Sequence, residues 1–192
     1  MLGNGYEEYG MKVENVFLDH ISKTENAECS REFDKPIAFM VDVKERNGAF
    51  LENQTIEGVN SWIGEVNPNY DPFDLESPYA VNCGACAYVV YERLNGNDAI
   101  CASANNIPLT ADMELLLGRK IVKTTPDIIE KTLMDKGNGA HSVIGVDRDC
   151  GPGHWFNAAC IEGKVVAIDG QSGEIREWPP DYGNVVSWEM SI

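Results

Sequence analysis

The clearest pattern of apolar positions lies in the last third of the chain. From His154 to Ile161 (HWFNAACI) the sequence is apolar and partly aromatic, Glu162-Gly163-Lys164 interrupts it, and Val165 to Ile168 is apolar again. Two short apolar runs around a polar, glycine-bearing break read as a β-hairpin. One arm begins with His154 and the other runs into Asp169. Antiparallel pairing returns the end of the second strand to the start of the first. The turn that closes the hairpin therefore also sets the imidazole and the carboxylate at one end of the ladder. His141 to Val146 and Val185 to Met190 read as further strands.

Upstream the pattern is helical. Asn82 is a suitable N-cap, Cys83 to Leu94 contains no breaker except Gly84, and Asn95-Gly96 closes the segment. Thr110 is expected to cap a second helix running through Leu117 and ended by Gly118. A third opens at Thr125-Pro126 and stops before Gly137, with Ile128, Ile129, Leu133 and Met134 as its apolar face. Val59 to Ile63 reads as one helical turn, and the segment Asn67 to Pro72 (NPNYDP) as turns. Helices followed by an antiparallel sheet predict an α+β fold, with the helix that starts at Cys83 packed on a C-terminal sheet. Residues 1–56 are patterned more weakly: Val13 to Ile21 suggests a short helix, Pro36 to Val43 a strand, and the polar surroundings of Gly48 and Asn53 a loop. The expected division is an N-terminal extension, 1–56, and a main folded domain, 57–192.

Composition narrows the function. The 192 residues carry a formal net charge of −16 and no basic stripe, so nucleic acid is not an expected partner. No apolar run approaches the roughly 18 residues of a membrane span, and the N-terminus lacks the pattern of a signal peptide. The six cysteines, Cys29, Cys83, Cys86, Cys101, Cys150 and Cys160, are even in number, but the chain is too large to need disulfides for its core, so most are expected to be reduced and buried.

A histidine beside a carboxylate lacks only a nucleophile, and the chain offers one in Asn82-Cys83-Gly84-Ala85-Cys86. A thiol in the first turn of a helix meets unpaired N–H groups and the positive end of the helix dipole, which favour the thiolate and can receive an oxyanion. This order, a cysteine at a helix start and then a histidine and an aspartate on neighbouring strands, makes Cys83, His154 and Asp169 the candidate triad. Taken singly the residues have plainer readings: a capped and buried thiol, a strand histidine, a turn aspartate. Gly84 would let a substrate approach the backbone closely. Trp155 and Phe156 could wall a slot beside the base. His141 is a second histidine without an evident carboxylate partner. Cys83-x2-Cys86 with Cys150-x3-His154 provides four zinc-type ligands, but the long gap and the Asp169 partner count against a metal, and no cofactor is expected.

Asn82-Cys83-x-x-Cys86 with Glu92-Arg93-Leu94-Asn95-Gly96, Gly153-His154-Trp155-Phe156-Asn157 and Asp169-Gly170-Gln171-Ser172-Gly173 together resemble the papain-fold toxin family of glutamine deamidases, over roughly residues 57–192. These are C-terminal toxin domains of bacterial polymorphic toxins. The resemblance implies a papain-like fold, a Cys-His-Asp triad of Cys83, His154 and Asp169, and hydrolysis of a glutamine side-chain amide on a target protein. It also implies delivery into the cytoplasm of a target cell and a cognate immunity protein. Gln171 matches the family's glutamine after the aspartate and is expected to support the site. Papain-like proteases attack with the second cysteine of a CGSCW-type segment, which leaves Cys86 as the alternative nucleophile; the position of Asn82 at the helix start favours Cys83. No glutamine lies between Gln54 and Cys83 to serve an oxyanion, so backbone N–H groups, with the Asn82 side chain, are expected to do so. The other readings are a cysteine protease or a transglutaminase-like acyltransferase on the same fold, and a binding domain without catalysis.

Overall fold

The computed structural model describes residues 54–97, 101–104 and 107–192. The helix and strand expected within residues 13–43, and the loop around Gly48 and Asn53, lie outside them. Among the described residues the α-helices are α1 (Ile56–Asn60), α2 (Cys83–Leu94), α3 (Thr110–Leu117) and α4 (Pro126–Lys136). The strands are β1 (Ile121–Thr124), β2 (His141–Arg148), β3 (His154–Ile161), β4 (Lys164–Asp169), β5 (Glu174–Glu177) and β6 (Val185–Ser191). They form one sheet in the order β1-β6-β2-β3-β4-β5, with every neighbouring pair antiparallel. This is an α+β arrangement. The edge strands β1 and β5 were not legible in the sequence; each is four residues long with no buried position, so neither carries an apolar signature.

Helices cover both faces of the sheet, which is why β3 and β4 are buried almost throughout rather than at alternate positions. On one face Ala85, Val89 and Val90 of α2 pack on Ala159, Ile161 and Ile168. On the other, Ile129 and Leu133 of α4 meet Phe156, Ala158 and Ala167 beside Trp178, Tyr182 and Trp188. The expected apolar face of α4 is narrower than the sequence suggested. Ile128 and Met134 are exposed, because the helix lies on the sheet along a single ridge.

Local signals mostly set the element ends. Thr125 Oγ1 accepts from the Ile128 N–H and Pro126 occupies the first turn of α4. The hairpin turn is tighter than expected: Glu162 (φ 53°) and Gly163 (φ 75°) form it alone, and Lys164 already pairs with Ile161. Two left-handed residues in succession give the turn whose twist matches the strands. The helical turn expected at Val59 to Ile63 is instead α1 followed by a 3-10 turn, Ile63–Glu65. Thr55 caps α1 through a bond from Gly58 N.

Two expected caps differ. Asn82 precedes α2, but its side chain makes no capping bond. Thr110 is the first residue of α3, not its cap, and its hydroxyl reaches across to Glu189 at 2.9 Å. Of the described cysteines, Cys83, Cys86 and Cys160 are reduced and buried, Cys150 is reduced but exposed, and Cys101 is disulfide-bonded. The expectation that most are reduced and buried holds for Cys83, Cys86 and Cys160, with Cys101 and Cys150 as the exceptions among the described residues. Chain length gives no information on individual pairs.

Candidate functional site

The hairpin register continues the Asn157–Ile168 pair one step further to set Asp169 opposite Phe156. His154 lies two residues along on the same face, a diagonal neighbour of Asp169. Its Nε2 meets Asp169 Oδ2 at 2.9 Å, and both side chains are nearly excluded from water. The Asp169 carboxylate is held from every side. Tyr182 donates its hydroxyl to Oδ2 at 2.8 Å, and the backbone N–H groups of Gln171 and Ser172 donate to Oδ1 at 3.0 and 3.4 Å. Such fixing orients the imidazole through a single nitrogen. The Tyr182 ring also lies 4.7 Å from the imidazole centroid, and Phe156 stacks on it at 6.1 Å.

Cys83 opens α2 and hydrogen-bonds His154. Since Nε2 faces Asp169, Nδ1 is the nitrogen left for the thiol. Burial pulls the His154 pKa down, but its hydrogen bonds to Asp169 and Cys83, with their charges, outweigh that and raise it to about 9. Burial alone would raise Asp169; its bonds to His154, Tyr182 and the turn N–H groups hold it below the ordinary carboxylate range instead.

Cys86 occupies a different environment. It is fully buried, its Sγ donates to Asn82 Oδ1 at 3.3 Å, and burial, together with the nearby Cys83 and Asp169, pushes its pKa well up. His141 is not a base in waiting. Burial lowers its pKa, its Nδ1 meets the Gly139 carbonyl and its Nε2 meets Asn95 Nδ2, both at 3.0 Å. The Asn95 amide also donates to Tyr91 O, so this part of the Glu92–Gly96 motif closes the helix. Arg93 is buried, bridges Glu65 at 3.0 Å and lies over the Trp62 ring; it ties the segment after α1 to α2.

Several residues expected to support the site are turned elsewhere. Asn82 is fully buried, and its amide donates to Asn67 Oδ1 at 3.2 Å and Ser103 O at 2.9 Å. Both donors are thus used inside the protein rather than toward an oxyanion. At Gly84 an added Cβ would stand 2.4 Å from Ile107 O, so the glycine admits the neighbouring loop and not a substrate. Gln171 meets Asp169 through its backbone only, while its side-chain Nε2 is buried without a partner. Phe156 is fully buried on the α4 face and walls no slot. Trp155 does line the cavity beside Cys83 and His154. That cavity holds about 190 Å³ and is also lined by Thr110, Gly145, Asp147, Pro152 and Glu189.

The sequence reading missed Tyr182, Asn67 and Glu189. Asn67 Nδ2 lies within hydrogen-bond reach of Tyr79 O, Asn82 Oδ1 and Gln171 O, at 2.9 to 3.2 Å. It clips the entry to α2 onto the turn after Asp169. Gly170 sets the same spacing from the other side: a Cβ there would fall 2.6 Å from Val90 and 2.9 Å from Val66. The Asp-Gly pair therefore puts a carboxylate at the site and lets its turn lie against the helix. No local signal marks Asn67 or Tyr182, which sit in turn-rich segments and act over 104 and 13 residues respectively. Among the described residues no group of three or more His, Cys, Asp or Glu side chains could hold a metal ion, and no helix is long and apolar enough to cross a membrane.

Helices packed on an antiparallel sheet, with a thiol at a helix start, an imidazole bonded to it and a carboxylate behind the imidazole, define an α+β protein carrying the side chains that cysteine hydrolases use. Residues 81–174 match the family model described as papain fold toxin 1, glutamine deamidase, so over this stretch the chain is similar to the papain-fold toxins. No curated protein and no solved structure matches the chain.

Proposed function

We propose that residues 57–192 form the catalytic domain of a protein-glutamine deamidase that acts through Cys83, His154 and Asp169. The observation that carries this reading is the chain of contacts from the Cys83 thiol through the His154 ring to a fully bonded Asp169 carboxylate. The Cys83 thiolate attacks the side-chain carbonyl carbon of a glutamine, forming an S–C bond. The tetrahedral oxyanion faces the backbone N–H groups at the start of α2, since Asn82 has no donor left. Collapse breaks the C–N bond, and His154, protonated at neutral pH, gives its proton to the departing ammonia. Water then adds to the thioester, the imidazole takes its proton, and the S–C bond breaks to leave glutamate and a free thiol. One water is consumed and one ammonia released per turnover.

The cavity favours a side chain over an extended backbone. At about 190 Å³ it is smaller than the roughly 300 Å³ at which drug-sized pockets begin, and Trp155 forms one wall. Deamidation is therefore favoured over proteolysis. The test is intact-mass and peptide analysis of proteins from cells expressing the active chain or Cys83→Ala. The expected outcome is conversion of glutamine to glutamate at one or a few sites of full-length targets, with free ammonia. New chain termini that depend on Cys83, without such conversion, would make the protein a protease.

As a toxin acting inside target cells, the protein needs a neutraliser in the cell that makes it. The charge of −16 favours an immunity protein with a basic contact face. Association with it is expected to slow several-fold between about 0.05 and 0.5 M salt in stopped-flow measurements. A rate that ignores salt would rule out an electrostatic contact.

A further inference from the structure

Gly145 of β2 pairs with Trp155 of β3 on one side and with Glu189 of β6 on the other. The three form one row across the sheet, beneath the start of α2. Gly145 has no side chain, and Trp155 leans over it so closely that a Cβ would lie 2.7 Å from the indole. The same cavity therefore has an indole on one flank, a glycine floor and the Glu189 carboxylate on the other flank, with Cys83 and His154 also in its lining.

Glu189 Oε2 accepts the Thr110 hydroxyl at 2.9 Å, and among the described residues the side chain makes no other hydrogen bond. A carboxylate near a helix start would ordinarily be read as a cap. A cap accepts from backbone N–H groups of the first turn. Here the Asp112 and Met113 N–H groups are taken by Leu109 O, and Glu189 touches only a hydroxyl. Thr110 thus tethers one carboxylate oxygen of a residue that lines the cavity, and among the described residues Oε1 has no hydrogen bond.

We propose that Glu189 is the residue that selects a neutral carboxamide and rejects a carboxylate at this site. The inference rests on the deamidase reading and deepens it. A glutamine side chain whose carbonyl oxygen points to the N–H groups of α2 presents its NH2 as a donor, and an ionised carboxylate can only accept. The glutamate formed by the reaction carries an oxyanion in place of that NH2, so the same carboxylate repels it and favours its release. Glu189 lies beyond residues 81–174, outside the part matched to the family.

The test uses two alkylating reagents with the same leaving group, iodoacetamide and iodoacetate, and needs no target protein. In each case the thiol sulfur displaces iodide. Cys150, free and exposed, is the reference thiol in the same chain. Glu189→Gln is expected to lower the ratio of iodoacetamide to iodoacetate rates about tenfold at Cys83 and to leave it unchanged at Cys150. Glu189→Asp, which keeps the charge but withdraws it by one methylene, is expected to fall between, and it stands in should the glutamine variant fail to fold. Asp147→Asn removes an exposed, solvent-screened charge from the same cavity and is expected to change the ratio less than twofold. A ratio at Cys83 that does not respond to either Glu189 variant, or an equal response to Asp147→Asn, would overturn the assignment. If Glu189 shifts the ratio but cells show no glutamine conversion, the slot reads amides and the deamidase reading is what fails.

Discussion

Cys83→Ala is expected to abolish glutamine conversion, by about 10⁴-fold or more, as removal of a covalent nucleophile does. Cys86→Ala should keep activity within about tenfold. The two thiols lie one helical turn apart and their environments separate them. Cys83 lines the cavity and bonds His154. Cys86 has no exposed surface, has its proton engaged by Asn82 and is held protonated by burial. Losing the Cys86 sulfur is expected to cost stability instead, about 1–2 kcal/mol, because it leaves a small void and removes one of the two donors to the buried Asn82 Oδ1, which keeps Asn67 Nδ2. Ammonia release and thermal melting of the two variants, measured together, separate the roles. Alkylation gives a second measure, with Cys150→Ser as background because that exposed thiol competes for reagent. Iodoacetamide near neutral pH should modify Cys83 well before Cys86. An active Cys83→Ala enzyme, or faster labelling of Cys86, would reverse the assignment.

The second large effect concerns the imidazole and its carboxylate. His154→Ala should be as inactive as Cys83→Ala, and Asp169→Asn reduced by about 10²–10⁴-fold, since an amide can neither stabilise the imidazolium nor set its orientation as an ion does. The pH profile adds a readout that misfolding would not mimic. With His154 raised to about 9, the alkaline limb of kcat/KM should fall near pH 9, where the proton needed by the leaving ammonia is lost. In Asp169→Asn the largest remaining influence is burial, which lowers the pKa, so this limb should move to lower pH. Tyr182→Phe removes a donor to Asp169 and no charge. It should move the limb slightly and cut the rate about tenfold or less.

The same pair links folding to pH. A folded-state pKa above the unfolded value of about 6.5 means His154 contributes its full stabilisation below about pH 6.5 and loses it as the pH rises through about 9. The amount is on the order of 3 kcal/mol. Asp169, with its pKa lowered, contributes above its ordinary value near 4 and loses this as the medium becomes more acidic. The melting temperature gap between wild type and His154→Ala should thus be widest around pH 5–6 and close toward pH 9. A gap that widens with alkalinity would contradict the pairing.

His154 and Asp169 were legible because they are local. Fifteen residues separate them, a two-residue turn joins their strands, and a ladder with that turn admits one register. The start and end of α2, the proline at the first turn of α4 and the glycine after its end were legible for the same reason: the backbone groups they satisfy lie within a few residues. Asn82 marks the limit of such reasoning. Its position before the helix was read correctly, but not its side-chain direction, because Asn67 and Ser103, 15 and 21 residues away, compete for its amide. Gly84 was noticed for its missing side chain, but what fills the space, the Ile107 backbone, depends on the packing of a separate loop. The sequence alone determined that a thiol begins a helix, that an imidazole and a carboxylate share a strand end, and that helices precede an antiparallel sheet. Only the tertiary structure decided that this thiol meets this imidazole, that Tyr182 and the turn N–H groups complete Asp169, and that Glu189 and Trp155 face each other across Gly145. Those contacts join strands, helices and loops far apart in the chain, and each forms only where the packed sheet leaves room for it.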